Sequence, residues 1–287
     1  MAAERRPDIQ SPVTGSPLTG WDCLKGGGMS SYFLLHGQRF SLSTFTVPAK
    51  IVPPGHGQNE VWLVYLRAGL LVVEDDRGFW SVSPGQVAFF PPGCRYEIEA
   101  CGCISGVAVS LAPGLCVGLP EISCAMTVSG FVPMILERAV TWQQKGGAGI
   151  FQPLDPRQER LLQVLLDELH TGSQELGRLL LPKGKMLNDI AREILNNPGE
   201  RKGIEEWASC MDISSRSISR HFSRETGMTF AQWRQVASLL VARKRLAQGE
   251  NVQHVSQSVG YENVSAFIAS FKRVYGITPA QFRQMFD

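Results

Sequence analysis

The segment Gly227-Met228-Thr229-Phe230-Ala231-Gln232-Trp233-Arg234-Gln235 returns 49 residues further on as Gly276-Ile277-Thr278-Pro279-Ala280-Gln281-Phe282-Arg283-Gln284. Gly, Thr, Ala, Gln, Arg and Gln are identical, and the Met/Ile and Trp/Phe pairs keep their apolar character. The register extends upstream, matching Ile218 with Phe267, Phe222 with Phe271 and Arg224 with Arg273. Two copies fall short of the three or more that a stacked solenoid needs, so the repeat reads as two small helical units in tandem.

Each unit reads as helix, tight turn, helix. In the first (204–227), Ile204–Cys210 is a short helix and Met211-Asp212-Ile213 the turn. Ser214 caps the second helix, because its hydroxyl accepts from an amide that the helix itself leaves unpaired. Ile213 and Ile218 have the spacing of a hydrophobic staple. Ile218 and Phe222 face inward, which leaves Arg216, Ser219, Arg220 and Ser223 outside with Arg224 beside them. Gly227 ends the helix in the left-handed conformation. In the second unit (252–276), Val252, Val255 and Val259 line the first helix, Gly260 makes the turn and Asn263 caps. Phe267, Phe271 and Val274 are expected inside, and Ser265, Ala266, Ala269, Ser270, Lys272 and Arg273 outside. Gly276 closes the copy.

Basic and short polar side chains on an outer helix face suit the DNA major groove, which admits one helix and is read by Arg and small polar groups. Arg220, in mid-helix, is the candidate for guanine contact. Between the units, 230–248 reads as one continuous helix of about 28 Å. That length holds two reading helices about one DNA turn apart, roughly 34 Å. The charge agrees. Residues 199–287 hold 12 Lys+Arg and 8 Asp+Glu, a net of +4, while the rest hold 16 and 18, a net of −2. A polyanion is therefore expected at the C-terminal end.

The remaining chain has a different character. Residues 20–125 carry short apolar runs, among them Val61–Leu66, Leu70–Val73 and Gln86–Phe90, broken by Gly, Pro and Asp. This pattern predicts a β-sandwich or small barrel. A helix is expected at 130–145, a break at Gly146–Gly149, and helical stripes at Leu161, Leu165, Leu166 and Leu169 and at Leu187, Ile190, Ile194 and Leu195. The expected organisation is a flexible tail (1–19), a β domain (20–125), a helical connector (126–186) and an all-α domain (187–287). The fold class is thus α+β in two domains, a β-barrel followed by two helix-turn-helix units on a long linker helix. No apolar stretch is long enough for a membrane span and the N-terminus has no signal core. With seven cysteines in no framework spacing, this points to a cytoplasmic protein with reduced thiols.

The two units and the run Val259–Gly276 resemble the DNA-binding domain of the AraC/XylS regulators, over roughly residues 187–285. The resemblance implies activation or repression of bacterial promoters. Its partners would be double-stranded DNA, RNA polymerase and, through the N-terminal domain, a second copy of the chain. Ala269 and Ser238 stand where that family often has Arg, so the first unit is expected to dominate sequence discrimination and the second to add phosphate contacts through Lys272 and Arg273. The N-terminal domain resembles a cupin-like sensor, on the segments Pro53–Glu60 and Ser83–Tyr96. Gln58 and Tyr96 occupy two of the places where metal cupins have His, so no metal or cofactor and no enzyme activity are expected. His56, Gln58, Glu60, Trp62 and Tyr96 are then candidate contacts for a small-molecule effector. The alternative is that they are core or surface residues of a barrel that only dimerises. Cys94, Cys101, Cys103, Cys116 and Cys124 read mainly as small apolar residues, with Cys101-Gly102-Cys103 as a weak redox or metal signal.

Overall fold

The computed structural model describes residues 30–48, 50–56, 59–142, 151–174, 177–200 and 202–286. The expected 1–19 tail and the expected break at Gly146–Gly149 lie outside them. Strands β1 (Ser30–Leu35), β2 (Gln38–Val47), β3 (Lys50–His56), β4 (Val61–Asp75), β5 (Gly78–Val82), β6 (Gln86–Phe90) and β7 (Arg95–Leu111) fill the N-terminal half. Strand β8 (Cys124–Thr127), helix α1 (Phe131–Val140), β9 (Gln152–Pro153), α2 (Pro156–Thr171), β10 (Ser173–Gln174) and β11 (Leu179–Leu180) follow. The C-terminal half is helical: α3 (Lys185–Asn196), α4 (Ile204–Met211), α5 (Ser215–Thr226), α6 (Phe230–Ala247), α7 (Val252–Ser258), α8 (Val264–Tyr275) and α9 (Pro279–Gln284). Among the described residues no helix is long and apolar enough to cross a membrane.

The sheet runs β10-β8-β6-β4-β7-β2-β1-β9, with β3 on β7 and a branch from β4 through β5 to β11. The pairing is antiparallel except where β9 joins β1. The long strands β4 and β7 form its spine and bend together in the middle. Between the pairs Leu66–Gly106 and Leu70–Cys101, β4 uses four residues where β7 uses five. A one-residue difference of this kind reverses which side chains of one strand face a given side. On β4, Trp62, Val64 and Leu66 point into the inner core before the bend, and Leu71 and Val73 point into it after. The outer face changes neighbour at the same place. Val61 and Leu63 lie under α1 and α2, whereas Leu70 and Val72 pack with the C-terminal helices.

The segment 126–186 is therefore more than a helical connector. Helices α1 and α2 cover one sheet face through Val132, Ile135, Leu162, Leu165 and Leu169, so they belong to the N-terminal core. The same stretch adds β9, β10 and β11 to the sheet. Two-residue strands have no period to read, which is why they escape a sequence pattern. Asp155 starts α2 with a full capping box, accepting from the amides of Arg157 and Gln158.

The two halves share one core. Leu70, Val72 and Cys101 of the sheet join Ile190, Trp233, Leu240 and Leu246 of the helices. The backbones come close at the bend of β7, where Gly102 has φ +76 and a Cβ there would lie 2.8 Å from the Ala247 carbonyl oxygen. Gly93 also has φ +76, but its Cβ would meet nothing within 4 Å. Gly93→Ala is therefore expected to cost about 1 kcal/mol for the left-handed conformation alone. Gly102→Ala should cost more, about 2–3 kcal/mol, because backbone must also move. Urea midpoints of the two variants check this, and equal losses would show that the contact at Ala247 is dispensable.

Candidate nucleic-acid interface

The first helix-turn-helix unit is α4, a turn and α5. Asp212 takes the left-handed conformation that reverses the chain (φ 53), and the Ser214 hydroxyl accepts from the Ser217 amide to start α5. Ile218 and Phe222 are fully buried on the inner side, Phe222 edge-on to Phe230 at 5.2 Å and Trp233 at 5.3 Å. The opposite side leaves Arg216, Ser219, Arg220 and Arg224 exposed and Ser223 half-buried. Gly227 closes the helix at φ 73. Arg224 donates to His221 Nδ1 at 2.8 Å and pairs with Glu225 at 3.3 Å.

The second unit is α7, a turn through Gly260 and α8. Asn263 caps α8 by accepting from the Ser265 amide at 2.7 Å, and Gly276 ends it at φ 77. Phe267 and Phe271 are buried; Asn263, Ser265, Ala266, Ala269, Lys272 and Arg273 are exposed. Two expectations are corrected. Ser270 is buried rather than outside, because α8 packs its side against α6 and Gln235 donates to the Ser270 hydroxyl at 3.2 Å. Val274, expected inside, is exposed: the last turn of α8 faces a cleft between the two halves rather than the helical core.

Helix α6 spans 18 residues between the units, about 27 Å at the helical rise. It is started by a capping box of Thr229 and Gln232, and Thr278 and Gln281 start α9 in the same way. The repeated Thr-x-x-Gln is thus a helix start. In the first copy the repeated Arg is structural too: Arg234 donates to the carbonyl of Lys202 at 2.7 Å and to that of Glu200. Glu225 anchors α5 to the segment leaving the sheet by accepting from the amides of Lys183 (2.9 Å) and Gly184 (3.1 Å). Trp233 Nε1 donates to the Leu180 carbonyl at 2.6 Å, a second tie to that segment.

The described candidate effector residues lie on or beside the neighbouring strands β3, β4 and β7. Trp62 and Tyr96 are packed in the inner core of the sheet, with the Tyr96 ring 4.5 Å from that of Phe90. Glu60 is half-buried and accepts from the Ser110 hydroxyl. His56 ends β3, and Gln58 lies outside the described residues. Burial pushes the thiols of Cys94 and Cys124 up to about 11 and those of Cys101 and Cys116 up to about 12. These four are protonated and poorly nucleophilic at neutral pH. Cys103 is exposed. Among the described residues no group of three His, Cys, Asp or Glu is placed to hold a metal ion.

Comparison with known proteins agrees with this geometry. Residues 207–285 match the family described as helix-turn-helix domain. The chain is 26% identical over 233 residues to the HTH-type transcriptional regulator NimR of Escherichia coli, covering 81% of this chain and 83% of that one. It is 33% identical over 102 residues to the HTH-type transcriptional regulator RipA of Corynebacterium diphtheriae, covering 36% and 30%. Among solved structures, ToxT from Vibrio cholerae overlays with TM-score 0.36 at 9% identity over 86% of this chain and 98% of that one. The matched helix-turn-helix domain, with relatives named as transcription regulators, supports DNA-binding transcription regulation. The relatives so named are regulators rather than enzymes.

The anchor at Glu225 has a pH signature. The Gly184 amide, then the Lys183 amide and Arg224, hold its carboxyl below the ordinary value against the opposing effect of burial. A depressed carboxyl contributes stability that is present above the unfolded value, about 4.3, and is lost as pH falls through the folded value. Glu225→Gln is expected to lower the melting temperature at neutral pH and to flatten its decline between about pH 5 and pH 3. Parallel acid-side melting curves for both proteins would refute the anchor.

Proposed function

We propose that the chain is a sequence-specific regulator that reads DNA chiefly with α5, uses α8 mainly for phosphate contacts, and answers to a small molecule. The observation that carries this is the unlike pair of exposed faces on two similarly capped helices. Helix α5 shows Arg216 and Arg220, whereas α8 shows Ser265, Ala266 and Ala269. Arg reaches two acceptors on a guanine edge, and alanine reaches none. Ser219, Ser223 and Arg224 complete the first face, and Asn263, Lys272 and Arg273 bound the second. Lys272 and Arg273, near the C-terminal end of α8, are suited to phosphate rather than bases. The N-terminal half, with its single branched sheet and glycine turns, is read as a cupin-like sensor. Phe131 and Met134 on α1, 59% and 60% exposed, give that half an apolar surface for a second copy.

Binding of the full chain to sites selected from random duplexes tests the reading. Arg220→Ala is expected to cost about 1–3 kcal/mol on the preferred sequence and to relax the preference at one base pair. Lys272→Ala should weaken binding to all sequences alike and reduce the salt slope by about one. Equal losses for both variants on matched and mutated sites would overturn the ranking.

A further inference from the structure

The segment 177–184 carries the chain from the sheet to the helical half, and a buried polar cluster holds its start. Asp75, the last residue of β4, accepts from the Arg178 guanidinium and the Ser123 hydroxyl. It also accepts from Trp80 Nε1 at 3.0 Å and from the Arg77 amide at 2.9 Å. Arg178 donates in addition to the Ser123 carbonyl, and its guanidinium carbon lies 5.7 Å from the centre of the Trp80 ring. The side chains of Arg178 and Asp75 are only 12% and 5% exposed. A buried pair repays its desolvation only when its remaining donors and acceptors are met, as they are in this cluster. Any slip of the segment would leave the Asp75 charge buried alone, so the segment is held in one register.

From this anchor the segment touches both halves in turn. Leu179 and Leu180 form β11 on β5, and the Leu181 amide donates to the Arg77 carbonyl at 3.1 Å. Strand β11 also lies against α5 and α6, with Leu179 in the core they share. The Leu180 carbonyl takes the Trp233 indole, and the amides of Lys183 and Gly184 then meet Glu225 Oε2. The other carboxylate oxygen of Glu225, Oε1, pairs with Arg224. Contacts therefore run unbroken from Asp75 in the sheet to a side chain on the exposed face of α5. Helix α8 is held differently, by packing and by the bond from Gln235 of α6 to Ser270.

We propose that segment 177–184 is a strap that sets the attitude of α5 on DNA, with Arg178 and Asp75 as positioning residues at its fixed end. The proposal rests on the reading of α5 as the chief base reader and adds a route by which the sheet half reaches it. A bidentate arginine contact needs both donors in hydrogen-bond reach of one base edge, so a small tilt of α5 weakens it. A flexible lysine on a phosphate tolerates the same tilt. The strap therefore governs discrimination between sequences more than attachment to DNA. Coupling of this kind is shown only by its non-additivity.

The test uses the full chain, well below the melting temperature of each variant. It compares two duplexes, matched and mutated at the base pair where Arg220→Ala relaxes the preference. The ratio of the two affinities is the readout, because changes in net charge cancel in it. Arg178→Gln and Glu225→Ala are each expected to reduce that ratio, up to about tenfold. The two contacts lie in series, so the double variant should lose no more than the worse single one. Lys244→Met, which cuts the tie to Glu99 elsewhere between the halves, should leave the ratio unchanged. Arg178→Gln strands the buried Asp75 charge. Should it not fold, Arg178→Lys takes its place, keeping the charge but losing the fork, with a smaller loss that is again not additive. Additive losses, a wild-type ratio in the Arg178 variant, or an equal loss in Lys244→Met would each overturn the strap. A merely structural Arg178 would lower the melting temperature and leave the ratio alone. If Arg220→Ala relaxes no base pair, the reading of α5 falls and the strap with it; failure of the coupling alone leaves that reading standing.

Discussion

Helix α6 has buried side chains on every side, and that condition holds the molecule together. Phe230, Trp233, Ala237, Leu239, Leu240, Ala242, Leu246 and Ala247 leave little free surface. A helix with apolar side chains buried on more than one face needs neighbours on each of them. Here α3, α5, α7 and α9 surround it on the helical side, and β4, β7 and β11 on the other. Both DNA-reading units are thus built on a helix whose remaining face belongs to the sheet. Their mutual orientation and the docking of the two halves are one packing problem.

The sheet meets that demand by bending. Without the one-residue mismatch between β4 and β7, the alternation along β4 would send the same parity of side chains outward along its whole length. The mismatch lets one strand keep a continuous inner face while its outer face first lies under α2 and then against α6. Polar ties flank this apolar contact. Lys244 pairs with Glu99, and Arg192 with Glu74 at 2.6 Å. As partly exposed pairs they add little energy individually, but they fix the register of the helices on the sheet.

Much of the C-terminal half was legible because its signals are local. Caps at Ser214 and Asn263, left-handed glycines at 227 and 276, and inward residues at spacing four each depend on a few neighbouring residues. The faces that failed were set by distant ones. Ser270 looked exposed until α6 lay against it, and Val274 looked buried until its turn faced a cleft. Arg243 is the strongest case. In the sequence it stands in the run Arg243-Lys244-Arg245 and reads as a solvated charge. Only the arrival of Ser81 and Ser83 from about 160 positions earlier makes it a buried one. The N-terminal half was legible as β and no further. Alternation marks strands without saying which neighbour each will find, and it says nothing of helices that will cover them.

The unlike faces of α5 and α8 also bear on how such a protein sits on a genome. On the proposed reading, one reader armed with arginines and another lined with alanine and serine would make the molecule a pointer, with a well-specified half-site at one end and a tolerant one at the other. Transcription itself runs one way, so on that reading the N-terminal half would fall on a fixed side of the well-specified half-site.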